Sequence, residues 1–211
     1  MGSRERRERQ QAETRQKILD AAREMFVRLG YEGTTMRAIA ERIEYTPTAI
    51  YHHFRNKRAL FAEVCRTDLL SLAKAMDRIG AVQDPIERLR HLGEAYVRFG
   101  LTHPMHYQLL FMTRPPEEDD VEPMGLDPVQ NTYGLLRDTC AAAIATGRLR
   151  PEFTDPEELA QILWSAMHGV VALHIVRQEH GAIEWRDPQA AAARLRDSLI
   201  RGLLSDASPT P

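Results

Sequence analysis

The chain has 211 residues, 43% apolar and 27% charged, with a net charge of −2, the composition of a soluble globular protein of one small and one medium domain. No uninterrupted apolar run approaches the ~20 residues that cross a bilayer. The charged start MGSRERRERQQAETRQK lacks the apolar stretch of a secretory signal, and Cys65 and Cys140 are too few for a disulfide framework, so buried free thiols in a reducing cytoplasm are expected. Charge is uneven along the chain, +5 over residues 1–58 and −7 over the rest, which fits a small nucleic-acid-reading head attached to an acidic body.

The elements, taken in chain order, are helical throughout: no sustained alternation of period two and no Asn-Gly or Asp-Gly hairpin signal occurs. Residues 1–13 read as a disordered basic arm, whose Arg4, Arg6, Arg7 and Arg9 would enter a minor groove or add nonspecific attraction. A first helix is expected from about Thr14 to Leu29, with Ile18, Ala22, Met25 and Leu29 on one stripe widened by Phe26, stopped at Gly30. Thr35 caps a short helix that turns Ile39, Ala40 and Ile43 inward. A third helix runs from about Thr46 to Phe54, and Asn56 caps a fourth that reaches about Ile79, with Leu60, Phe61, Val64 and Leu72 as its apolar face. Further helices are expected at about 84–102, 104–113, 128–146, 155–180 and 187–204. Asp-Pro at 84–85, 127–128, 155–156 and 187–188 repeats one start signal, a capping carboxylate before a proline at the first helical position. TRPPEEDDVEPMGLD (113–127) reads as a solvated loop or a lid over a ligand entrance, and 205–211 as a frayed tail.

Two short helices joined by a tight turn, the second opening on Thr46-Pro47, have the build of a helix-turn-helix whose second helix enters the major groove. Thr46, Thr48 and Ala49 stand where base edges or thymine methyls are met, with Pro47 among the DNA-binding candidates at the helix start, although Thr46 is also a helix cap. Thr35 and Arg37 suit phosphate or groove contact. Ile50 and Phe54 read as core, and His53 as packed or solvated. The segment ILDAAREMFVRLGYEGTTMRAIAERI, followed by TAIYHHFRNKRAL, resembles the N-terminal domain of TetR/AcrR-type transcriptional regulators, most specifically in Ile50-Tyr51-His52-His53-Phe54-x-Asn56-Lys57-x-x-Leu60. The resemblance implies that Tyr51, His52 and Lys57 meet the DNA backbone. Members of that family often carry Gly-Val-Ser before the recognition helix and Gly within it. Here the turn reads Ile43-Glu44-Tyr45-Thr46, and Ala49 stands where a small residue is frequent.

In the rest of the chain, Trp164-x-x-x-His168-Gly169 and YVRFGLTHPMHYQLLF (96–111) are similar to the Trp-His-Gly class of TetR C-terminal domains. The expected architecture is all-α: an N-terminal three-helix helix-turn-helix domain (14–60) and a C-terminal helical bundle (61–204) for ligand binding and dimerisation. Trp164 and His168, i and i+4 on one helix face, line a pocket or pack the core, and Tyr107, Phe111 and Met112 are further pocket candidates. Ala192, Leu195, Leu199 and Leu203 form a stripe suited to a dimer seam or to packing within one copy. The resemblance implies a homodimer on a palindromic double-stranded operator, released by a small hydrophobic effector. An activator, or a helical interaction protein without a ligand, is the alternative. An enzyme is not expected: there is no nucleophile elbow, P-loop or dinucleotide glycine pattern. His168, His174 and His180 are turned about 240° apart on a helix and cannot share a face, and His103-x-x-His106 lacks a partner pair. No cofactor, metal or membrane partner is implied.

Overall fold

The computed structural model describes residues 2–114, 127–177 and 183–205, and these fall into two compact units. The expected loop 113–127 lies outside the described residues from 115 to 126, as does the tail from 206.

The first unit takes in the chain up to Leu69 and the described residues from Met105 to Arg114. Its α1 spans Ser3–Gly33 and loses helical geometry at Gly30 (φ 73°). The stop at Gly30 is where glycine's freedom places it. The start is eleven residues earlier than the sequence pattern indicates, so residues 3–13 are helical and not a disordered arm. They are mostly Glu, Arg, Gln and Ala, all strong helix formers, and two local contacts support them: Glu5 accepts from the Gly2 N–H at 2.9 Å and Arg4 pairs with Glu8 at 2.8 Å. α2 (Met36–Arg42) and α3 (Pro47–Tyr51) are capped by Thr35 and Thr46, whose side chains accept from the N–H groups of Ala38 and Ala49. α4 (Lys57–Met76) is capped by Asn56, which accepts from the Ala59 N–H at 2.8 Å. It ends three residues before Ile79, which opens a short 3-10 turn, Ile79–Ala81.

Ile18, Leu19, Ala22 and Phe26 of α1 are buried against Ile39, Ala40, Ile50, Phe54, Leu60, Phe61 and Val64. Each large apolar side chain taken from water this way contributes roughly 1.5–3 kcal/mol. Leu29, placed inward by periodicity, is 55% exposed, because Gly30 ends the regular helix one residue later and leaves that turn at the margin of the core. Residues 61–69 of α4 and all but the first residue of α6 (Pro104–Phe111) belong to this unit and not to the body as expected; Leu109 is buried in its core.

The second unit is a bundle of α5 (Pro85–Thr102), α7 (Asp127–Ala145), α8 (Pro156–Arg177) and α9 (Pro188–Leu203). The Asp-Pro signal works as expected at three of its four places: Asp84, Asp155 and Asp187 accept from the N–H of Ile86, Glu157 and Gln189 at 2.8, 2.8 and 3.0 Å, while α7 takes in Asp127 as its first residue. Ile86, Leu89, Cys140, Ala143, Leu159, Leu163 and Ile200 share one core. Cys65 and Cys140 are both buried and free, and burial pushes each thiol up to about 12.

α8 is 22 residues long and holds an 18-residue window of mean hydropathy 1.6, enough by length and composition to cross a bilayer. The count of uninterrupted apolar residues passes over it because Ser165, His168 and His174 break the run. Its Leu159, Ala160, Leu163, Met167 and Val171 are buried inside this unit, while Ile162, Leu173 and Val176 are exposed. On the α9 stripe, Ala192 and Leu203 are buried within the single copy, with Ile200, Leu199 packs on the same core, and Leu195 is half-buried.

Candidate functional site

α2 ends in a hydrogen-bonded turn that aims α3. The Tyr45 N–H donates to the Ala40 carbonyl at 2.9 Å and the Glu44 N–H to the Glu41 carbonyl at 3.2 Å, the paired closure of a Schellman motif. That motif needs a left-handed residue between helix and exit, and Glu44 supplies it at φ 59°. Among the described residues it is the non-glycine position with positive φ. Glu44, where glycine is frequent in the family, therefore departs in side chain and not in backbone path.

α3 is anchored from one side only. Ile50 is fully buried and Phe54, just beyond the helix, nearly so; the Arg15 guanidinium lies 5.0 Å from the Phe54 ring centre. Thr46, Pro47, Thr48 and His52 are exposed, Tyr51 is 53% exposed, and Ala49 is half-buried. The expected contact residues of α3 thus share an open surface. Tyr45, a packing question in the sequence, is also exposed, beside Thr46. His53 is half-buried, and burial together with the Arg15 charge lowers its pKa, so it stands neutral at pH 7.

Thr35 and Arg37 are exposed at the start of α2, with Arg37 paired to Glu41 at 2.9 Å. Such an exposed pair is worth little and exchanges readily for a phosphate. Lys57 has a second occupation: its ammonium donates to the Tyr31 carbonyl at 2.9 Å and lies 4.1 Å from the Tyr31 ring centre. It is half-buried, so its apolar stem is fixed while the head stays at the surface.

The expected pocket residues are divided. Tyr107, fully buried, with Phe111 (ring centres 5.0 Å apart) and Met112, belongs to the first unit; Trp164 and His168 belong to the second. Within the second unit, Trp164 Nε1–H donates to the Tyr96 hydroxyl oxygen at 2.9 Å, and that oxygen lies 3.3 Å from His168 Nδ1. Burial lowers the His168 pKa and keeps the ring neutral. Trp164 is donor only, so Tyr96 accepts from it and its own hydroxyl proton is available to Nδ1. Tyr133 packs on Trp164 with ring centres 5.7 Å apart and donates to Glu157. Tyr96 is the hub, and the sequence pattern did not single it out. The available signal was a tyrosine on the buried face of α5 facing a Trp-His pair that also needs hydrogen-bond partners. A concavity of about 270 Å³ in this unit is lined by Gly93, Val97, Arg98, Met167, Ala192 and Arg196, and by none of the expected pocket residues.

Part of one face of α8 is exposed among the described residues. Ile162, Ala166, Gly169, Leu173 and Val176 repeat at alternating spacings of four and three, and Leu173 and Val176 are 51% and 50% exposed. That is the spacing of a helix-to-helix seam.

Residues 18–64 match the family described as bacterial regulatory proteins, tetR family, and residues 89–199 match the tetracyclin repressor-like C-terminal domain. The HTH-type transcriptional repressor AcnR of Corynebacterium diphtheriae is 38% identical over 77 residues, 36% of this chain and 40% of that protein, so the chain spans less than half of that relative. AcnR of Corynebacterium jeikeium is 29% identical over 174 residues, 79% of this chain and 84% of the relative. The crystal structure of the transcriptional regulator FadR from Bacillus subtilis in complex with stearoyl-CoA superposes with a TM-score of 0.73 at 15% identity, covering 89% of this chain and 98% of that one. This last likeness is one of fold.

Proposed function

The chain belongs to the TetR family of bacterial regulatory proteins, DNA-binding transcription factors and not enzymes, and on that premise we propose that it is a ligand-responsive repressor that binds a palindromic operator as a homodimer and leaves it when a small hydrophobic effector binds. The observation that carries the DNA half is the face of α3: Thr46, Pro47, Thr48, Tyr51 and His52 lie open on a short helix whose other side is pinned by Ile50 and Phe54. Thr48 and Ala49 read bases, while Thr35, Arg37, Tyr51, His52 and Lys57 hold phosphates. Repression is favoured by the AcnR relatives, which are named as repressors.

Dimerisation uses the last two helices, the exposed Leu173 and Val176 of α8 together with the α9 stripe of Ala192, Leu195, Leu199 and Leu203. Pairing two such faces about a two-fold axis buries Leu173 and Val176, and Gly169 at mid-stripe lets the backbones approach. The axis then presents two copies of α3 to successive major grooves about 34 Å apart. For the effector we propose an acyl-CoA or related acyl compound, the class named with the FadR structure, sensed through the Trp164–Tyr96–His168 chain. A ligand that engages that chain in one arrangement only shifts the population toward it, and operator affinity follows.

The test is selection of duplexes from a random pool by the purified chain, followed by titration of the enriched duplex with acyl-CoAs of graded length. Symmetric enriched sequences, two chains per duplex and release by one acyl length support the reading. No enrichment refutes it. Enrichment with no response to any acyl-CoA leaves the DNA half standing and removes the proposed effector class.

A further inference from the structure

Arg23 and Asp68 form a charge pair whose existence stability alone does not account for. The Arg23 and Asp68 side chains are 7% and 1% exposed. Asp68 accepts from Arg23 Nε at 3.0 and 2.9 Å and from Nη2 at 2.7 Å, while Nη1 donates to Asp20 at 2.7 Å. His106 Nδ1 stands 3.0 Å from the same Asp68 carboxylate. Three helices, α1, α4 and α6, therefore meet on one buried acid. Taking two charges out of water costs about as much as their attraction returns, and apolar side chains of similar volume hold helices together at least as well. What apolar contacts lack is register. A leucine surface tolerates sliding, whereas a guanidinium fork on a carboxylate has one geometry.

Register at this place bears on DNA. The same α1 presents Ile18, Leu19, Ala22 and Phe26 to the core that holds Ile39 of α2 and Ile50 of α3. A slip of α1 along α4 moves the platform on which the recognition helix stands. A second pair, Arg15 with Glu63, ties α1 to α4 nearer the chain start, at the edge of the core, where Arg15 is 39% exposed and yields more easily.

We propose that the Arg23–Asp68 pair, with His106 seated on the same carboxylate, is a positioning device for DNA readout: it fixes the register of α1 and α6 on α4, and through α1 the placement of α3. The inference rests on the DNA-binding reading above. The experiment compares wild type with R23M/D68L, an apolar pair of similar volume, and with R23K, which keeps the charge and loses the fork. Thermal midpoint is measured for each, together with affinity for the duplex enriched by wild type and for a scrambled duplex at the same salt. R23M/D68L keeps or raises the midpoint, binds the scrambled duplex as wild type does, and loses about tenfold or more in discrimination, the worth of roughly one base contact. R23K loses discrimination in the same direction, by less, with its midpoint nearly unchanged. Wild-type discrimination in a folded R23M/D68L overturns the proposal. If that variant does not fold, R23K decides alone, and wild-type discrimination there overturns it equally. A wild type that enriches no duplex refutes the DNA-binding reading, and this inference with it.

Discussion

Glu44→Gly should stabilise the protein, and the size of the gain follows from one dihedral angle. Glu44 sits at φ 59° because the Schellman closure of α2 requires a left-handed residue there. A side chain in that conformation brings Cβ close to the following carbonyl oxygen, at a cost of about 1–2 kcal/mol. Glycine relieves it but brings a more flexible unfolded chain, worth about 0.5–1 kcal/mol in the opposite direction. The net is roughly 0.5–1 kcal/mol, and for a chain of this length that raises the thermal midpoint by about 1–4 °C. Circular dichroism melts of wild type, E44G and E44A decide the matter. Alanine loses the same carboxylate and keeps the Cβ, so the difference between the two variants isolates the strain. Both should tighten binding to any duplex, since a negative charge beside α3 is gone. An E44G midpoint no higher than that of E44A would refute the strain argument, whatever either does relative to wild type.

Lys57→Ala should weaken binding to every duplex and lower the salt slope by about 0.9 for each phosphate that the lysine neutralises; an unchanged slope would assign Lys57 wholly to Tyr31. Thr48→Val should alter the base preference of the enriched sequences at constant salt slope, and an unaltered preference removes Thr48 from base reading. Trp164→Phe keeps most of the bulk and removes the donor to Tyr96. It should cost about 1 kcal/mol of stability and blunt the acyl-CoA response, with operator affinity retained; a wild-type response excludes the polar chain from sensing. Leu173→Asp puts a charge on the open face of α8 and should leave a folded monomer on size exclusion that binds the operator on the order of 100-fold more weakly; a dimer at wild-type affinity places the seam elsewhere. Glu63 is held at about 2, from an ordinary 4.5, chiefly by its hydrogen bonds to Arg66 and then to Arg15, against the opposing effect of burial. A depressed carboxylate contributes stability above its unfolded pKa and loses it as pH falls toward the folded one. About 2–3 kcal/mol should therefore disappear between roughly pH 5 and 2. Glu63→Gln should flatten that acid limb, and an unchanged limb would refute the assignment.

The local signals in this chain are legible because each is complete within a few residues. Thr35, Thr46, Asn56, Asp84, Asp155 and Asp187 each cap a helix through a side chain and an N–H two or three residues away, so nothing distant can override them. Spacing places Ile50 and Phe54 in the core, and they are there. The basic arm goes the other way: its charge suggests disorder, while its helix-forming residues and i,i+4 pair extend α1 to Ser3. Asp68 also carries a sequence signal. It falls at the next four-residue step after Leu60 and Val64 and before Leu72, on a stripe otherwise buried, and a carboxylate there demands a buried partner.

By itself, then, the order of residues determined the all-helical class, the capped helix starts, the helix-turn-helix and the family, because periodicity, caps and motif are written in neighbouring positions. Only tertiary structure decided that Leu173 and Val176 of α8 are exposed while Ala192 and Leu203 of α9 are buried, that α6 belongs with the unit that holds α3, and that Tyr96 joins Trp164 to His168. Each of those depends on which other surface reaches a side chain first, and that competition is settled by packing across dozens of residues of intervening chain.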